Sequence, residues 1–302
     1  MVMADRFHAA ERLSIVTPLG VQFVDDFSGT PIGSGLEVWT WPANAPRLRV
    51  PARRAGSTTY AAHGLPGFRS FETGEGDDAF WAKWLAEPKR TFVVEARDLE
   101  GRFLPLQLRV ELPVFGRARP SCPLALPANR RHAVPLFSAP TRSVPGKAAT
   151  VRADLYDRSL RGPAAWAVVE ARLDGRTIAR GMSDRGGRLV LLFAYPEPQA
   201  SWASPPMAVT SPASAPMVPL SEQRWPIEIV VRYDRTTEVR KVPDLCDALA
   251  QAPARVVADA ASSSLDFSGT TLRYGEAAVL RTANTLGEER GRLLVVTGGS
   301  PL

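Results

Sequence analysis

Three histidines, His8, His63 and His132, are the side chains of this 302-residue sequence whose ordinary pKa suits proton transfer near neutral pH. None stands in a catalytic pattern. His8 lies in a polar lead-in, His63 precedes the turn Leu65-Pro66-Gly67-Phe68, and His132 follows Arg130 and Arg131. A Ser or Cys nucleophile needs a base beside it, and no Gly-x-Ser-x-Gly elbow, phosphate-cradling loop or His/Glu metal motif is present. The adjacent pairs Asp25/Asp26 and Asp77/Asp78 offer the two carboxylates that glycoside hydrolysis uses. Turns and helix caps demand the same residues, so the reading assigns no catalytic, cofactor-binding or metal-binding residue. Cys122 and Cys246 lie far apart and match no metal or redox spacing. A single bridge between them is open, but cysteine this sparse fits a reducing compartment slightly better.

The aromatic residues offer binding rather than reaction. In Leu36-Glu-Val-Trp-Thr-Trp41, strand alternation puts Glu37, Trp39 and Trp41 on one face and Leu36, Val38 and Thr40 on the other. Two tryptophans on one face either bury against a second layer or stand ready to contact a partner or stack on a glycan. Trp202, inside a proline-rich run, is a third candidate contact.

The net charge of +6 comes almost wholly from arginine, since Lys83, Lys89, Lys147 and Lys241 are the lysines. Arginine interleaved with acids reads as solvated strand faces. The basic stretches at 47–54 and around Arg117, Arg119, Arg130 and Arg131 are broken by prolines and read as loops, so no nucleic-acid partner is expected. Lacking a signal-peptide run or a bilayer-length apolar stretch, the chain is expected to be soluble, to start in the cytoplasm and to insert in no membrane.

Residues 1–12 are a tail, and the first domain spans 13–114. In it, Leu13–Val24 and Leu36–Trp41 read as strands around the turn-rich residues 25–35, and 42–56 as a loop. Thr58–His63 is a short strand. The run Asp77-Asp-Ala-Phe-Trp-Ala-Lys-Trp-Leu-Ala-Glu-Pro88 reads as a capped helix with Phe80, Trp81, Trp84 and Leu85 on one side, stopped by Pro88 and plugging a sandwich end. Thr91–Asp98 and Phe103–Val114 form a hairpin.

Residues 115–146 read as a proline-rich strap, and 147–302 as the second domain. Its strands are expected near 151–156, 164–173, 177–182, 188–195 and 225–233, with Asp174-Gly175 making a tight hairpin turn. Residues 196–220 form a Pro/Ala/Ser-rich loop in which Trp202, Met207 and Met217 hint at docking. Asp244 caps a short helix, and 271–282 with 291–297 read as a terminal hairpin. The order strand, Asp, Ser, Gly, Pro, Trp-bearing strand occurs at 21–42 and again at 151–175, which reads either as shared punctuation or as a duplication.

The residues Asp157, Gly162-Pro163, Ala165-Trp166-Ala167-Val168, Asp174-Gly175, Gly181, Ser183-Asp184, Gly187-Arg188, Leu189 and Leu191 resemble a transthyretin-like, carboxypeptidase-regulatory-type module over about 149–198. The resemblance implies a β-sandwich in which Gly162, Pro163, Trp166, Asp184 and Gly187 define turns and core, and says little about activity, the family consisting mainly of accessory and adhesive modules. The succession RLSIVTPLGVQFVD, HGLPGFR, FVVEARDLEGRFLPLQLRVELP, LFSAPTR and GPAAWAVVEARLDG is similar to proteins encoded with phage-tail-like contractile injection systems. That likeness implies a structural role in a particle as baseplate, cap or tube-associated protein, partnered by other particle proteins or by itself. The expected fold is therefore mainly β, with two β-sandwich domains joined by the strap and one or two short helices. The expected function is that of a non-catalytic structural or adaptor component, not an enzyme and without a cofactor. A carbohydrate-binding or adhesive module is the alternative.

Overall fold

The computed structural model describes residues 16–56, 58–73, 76–120, 122, 133–144, 146, 148–198, 219–235, 241–258, 266–282 and 293–296. His8, Arg130, Arg131, His132, Trp202, Met207, Met217 and the expected loop at 283–290 lie outside the described residues.

The chain is mainly β, as its alternating patterns require. In the first half run β1 (Leu19–Asp25), β2 (Leu36–Pro42), β3 (Val50–Ala55), β4 (Thr59–Ala62), helix α1 (Asp78–Ala86), β5 (Arg90–Asp98), β6 (Leu106–Leu112) and β7 (Ala133–Leu136). They make one sheet in the order β6-β5-β2-β3-β4-β1-β7. The sheet curls until its ends nearly meet: the Leu104 amide donates to the Phe137 carbonyl at 2.9 Å, and Phe103 bridges Ser138. The alternating residues Phe92, Val94 and Ala96 of β5 and Leu106, Leu108, Val110 and Leu112 of β6 face inward into one core. Val38 and Thr40 are buried on the same inner side of β2. Asp77 caps α1, its carboxylate accepting from the Phe80 amide at 2.8 Å, and Trp84 drops into the core against Phe68 and Phe71. Leu85 points the other way and is exposed, contrary to its expected place on the buried side.

Two segments read as irregular are strands. Residues 50–55 pair with β2 and β4, yet β3 buries little, so no apolar alternation marks it. Within the expected strap, β7 runs parallel to β1 from Gln22–Ala133 to Asp25–Leu136 and completes the first sheet.

The second half continues with β8 (Ala148–Asp157), β9 (Gly162–Pro163), β10 (Val168–Leu173), β11 (Arg176–Met182), β12 (Arg188–Ala194), β13 (Arg224–Arg232), α2 (Leu245–Leu249), β14 (Arg255–Val257), β15 (Gly269–Arg273), β16 (Ala277–Leu280) and β17 (Leu293–Val296). A sheet ordered β11-β10-β13-β15 faces one ordered β12-β8-β17-β14. Between them Val169, Ala171, Ile227, Ile229 and Val231 meet Val151, Ala153, Leu155, Leu189, Leu191 and Phe193. Among the described residues the strands of the expected terminal hairpin do not pair with each other. β15 joins β13, while β16 and β17 both lie parallel to β8, at Thr150–Ala153 and Leu155–Asp157 respectively. A long β8 with one edge open can accept two short strands in line, a pairing that local turn chemistry does not foretell.

Candidate interaction surface and the seam between the halves

The carboxylates that offered chemistry are occupied by structure. Asp25 accepts from both Arg142 guanidinium nitrogens at 2.9 and 2.7 Å, from Ser28 and from the Phe27 amide. Burial alone would raise the Asp25 carboxyl, but the Arg142 and Ser28 hydrogen bonds and the Arg142 charge hold it below the ordinary carboxylate value. Asp77 is spent on its cap and Asp78 lies in the first turn of α1. Among the described residues His63 makes a long contact, 3.4 Å, to Thr17. Among the described residues no three His, Cys, Asp or Glu side chains come together as a metal site.

Trp39 and Trp41 sit where alternation puts them, on the outer face of the first sheet, and a cation covers them. The Arg49 guanidinium lies 4.4 Å from the Trp41 ring centre and 5.5 Å from that of Trp39. Trp41 is left 8% exposed, yet belongs to neither core. Arg49 is anchored by Glu95 at 3.1 Å, and Glu95 also takes Arg97 at 2.8 Å and the Gln107 amide at 2.6 Å. Burial would raise the Glu95 carboxyl; the Gln107 and Arg97 hydrogen bonds and the Arg97 and Arg49 charges lower it instead. Arg49 thus lies over Trp41 and, at longer range, over Trp39, which stays half-buried, so the pair is a braced patch.

A second cluster of the same kind lies on the outer face of β10. Glu170, 6% exposed, pairs with Arg172 at 2.8 Å and with Arg180 of β11 at 3.3 Å. Burial pushes its carboxyl up, and the Arg172 hydrogen bond with the Arg180, Arg172 and Arg232 charges brings it below the ordinary range. Sequence reasoning missed both clusters. The available signal was the phrase Val-Val-Glu-Ala-Arg, which occurs at 93–97 and at 168–172.

The turn residues of the second half gather around residues 163–166, and the last of these reach the seam. Gly187 adopts φ +78°, and a side-chain carbon there would lie 2.2 Å from the Leu155 carbonyl oxygen. Asp184 closes the turn by accepting from the Gly186 and Arg188 amides at 2.8 and 2.9 Å. Gly162 and Pro163 pair with Asp157 and Tyr156. Residues 164–167, read as strand, instead form a turn in which Trp166 takes a left-handed φ of 62°. Ser183 pins that turn, donating to the Ala164 carbonyl at 2.7 Å and accepting from the Ala167 amide at 2.9 Å, while Gln251 donates to the Trp166 carbonyl. The result turns Trp166 away from its own sandwich: with Ala165, Val168, Met182, Leu245 and Ala248 it belongs to the core of the first half.

Three further ties cross the seam. The Gln107 amide of β6 donates to the Pro243 carbonyl at 2.8 Å, so the second half covers an edge the first leaves open. Arg109 faces Asp244 and Asp247 of α2, each at 3.8 Å. Cys122 and Cys246 form a disulfide, the alternative that their spacing left open, because folding brings the chain after β6 against α2. Such a bond persists in oxidising surroundings.

Comparison with known proteins adds little. No family model matches the chain, and no curated protein matches it. Among solved structures, the shaft pilin spaA from Lactobacillus rhamnosus GG aligns at 8% identity over 94% of this chain and 98% of that one, with a TM-score of 0.22. A single-site mutant of the same pilin aligns over the same shares at 0.20. Superpositions this loose carry no argument. No helix among the described residues is long and apolar enough to cross a membrane.

Proposed function

We propose that the chain is a non-catalytic structural or adaptor protein that works by holding its surfaces in a fixed relation. The observation that supports this is the seam: a shared apolar core containing Trp166, a main-chain bridge, an ion-pair pair and a disulfide tie two β halves together. Shifted carboxylates support it too, since Asp25, Glu95 and Glu170 are all held in the charged form by arginines rather than poised to exchange protons. The domain limits proposed with it are 13–114 and 147–302 with 115–146 between, the last lending β7 to the first sheet.

The finer form of the proposal is a component of a phage-tail-like contractile injection particle, carried by the order of sequence phrases. Its test is co-purification: the tagged full chain expressed with neighbouring sheath, tube and baseplate proteins should be retained with at least one of them at fixed stoichiometry. A chain that stays monomeric and retains none overturns the reading.

A further inference from the structure

Arg90 differs from the arginines just described. Arg49, Arg97, Arg102, Arg142, Arg172 and Arg180 all end on carboxylates. Arg90, the first residue of β5, has no carboxylate partner among the described residues, although it is held in place. Its guanidinium lies 5.3 Å from the centre of the fully buried Phe68 ring. It also rests against Gly67, where a side-chain carbon would fall 1.6 Å from one guanidinium nitrogen and where φ is +84°. Ring and glycine together hold the guanidinium in place.

This fixed cation borders a groove of about 720 Å³ at the open end of β2 and β5, a volume in the range of ligand sites. Lys89, which pairs with Glu111 at 3.5 Å, and the Asn44 amide also line it, and no Asp or Glu is among the lining residues. The rest of the lining is largely apolar and includes Pro42, Ala45, Pro66 and an exposed Leu48. The Ala43 amide donates to the Thr91 carbonyl at 2.9 Å and ties two of the lining segments together.

We propose that this groove binds a short peptide segment of a partner, with an acidic side chain on Arg90 and an aliphatic neighbour against Leu48. A carboxylate matches the single planar fork that Arg90 presents. Phosphate sites gather several backbone N–H groups at a helix N-terminus or a nest, and neither α1 nor α2 lines this groove. The inference stands apart from the particle reading, because it concerns the isolated chain and a defined peptide.

The test is a titration of the full chain, followed by amide chemical shifts, with acetyl-Leu-Glu-Leu-amide, the uncharged acetyl-Leu-Gln-Leu-amide, and inorganic phosphate. The glutamate peptide is expected to saturate in the millimolar range with shifts at residues 42–48 and 89–92, and the glutamine peptide to bind about tenfold more weakly, one charge-assisted bond's worth. Arg90→Gln is expected to erase that preference, and Arg90→Lys to keep part of it, since the charge remains and the fork is lost. Equal binding of the two peptides, or an unchanged preference in folded Arg90→Gln, overturns the proposal. Phosphate displacing the glutamate peptide at lower concentration than the glutamine peptide does overturns the carboxylate assignment in favour of a phosphate site.

Discussion

Residues 93–97 and 168–172 share the sequence Val-Val-Glu-Ala-Arg, and in both halves the strand turns Val and Ala inward and Glu and Arg outward. The surroundings then diverge. Glu95 has a cross-strand amide, Gln107, and an arginine that it holds over two tryptophans. Glu170 has arginines of β10 and β11 at hand and no ring, and two residues before it Val168 is already part of the first half's core. The equivalent Val93 is only half-buried. One phrase thus builds a braced outer patch in one half and the rim of the seam in the other. Strand parity sets which way a side chain points, and the neighbouring strands decide what it meets.

The seam is where that contrast is easiest to break. Trp166→Ala removes a buried indole shared with the first half and is expected to cost about 4 kcal/mol, with β5 amides losing hydrogen-exchange protection as well as β10 amides. Reducing Cys122–Cys246 in the wild-type chain should cost about 3 kcal/mol of stability and lower the denaturant midpoint, which chemical denaturation with and without dithiothreitol reads. Glu170→Ala strands Arg172 and Arg180 and Glu95→Ala strands Arg49 and Arg97. Each is expected to cost about 2 kcal/mol, less than for a fully buried pair because the arginines are part-exposed, and only Glu95→Ala should red-shift the emission of Trp39 and Trp41. Arg49→Ala is the mildest change, about 1 kcal/mol, with the same red shift.

Acid sharpens the comparison further. Asp25, Glu95 and Glu170 all have folded-state pKa values below their ordinary ones. Their stabilisation is therefore fully present above the ordinary carboxylate range and lost as pH falls through the folded values. Stability should decline below about pH 4, and Glu95→Gln with Glu170→Gln should flatten that decline in urea melts taken at successive pH values.

Much of the architecture was legible. The cap of Asp77, the alternation of Phe92, Val94 and Ala96, the Asp174-Gly175 turn and the Gly187 turn are all local, and local rules govern them. What escaped is non-local or disguised. β3 carries Arg53 and Arg54 where apolar residues would announce a strand, and β7 is four residues with Pro135 inside, recognisable only by its parallel partner β1. Trp166 reads as strand because its neighbours are strand formers; the positive φ depends on Ser183 and Gln251, 17 and 85 residues away in the chain. Glu95 and Glu170 resemble solvated acids until the strands beside them are known. The Arg90 groove, likewise, is assembled from three separated segments of the chain.

The account stands on the two halves being one locked unit. Native-state hydrogen exchange of the oxidised full chain against denaturant compares the matched strands directly, following the Val94 and Val169 amides. Both are expected to converge on one unfolding free energy with one denaturant slope. Distinct free energies for the two strands, with the disulfide intact, would contradict a locked seam.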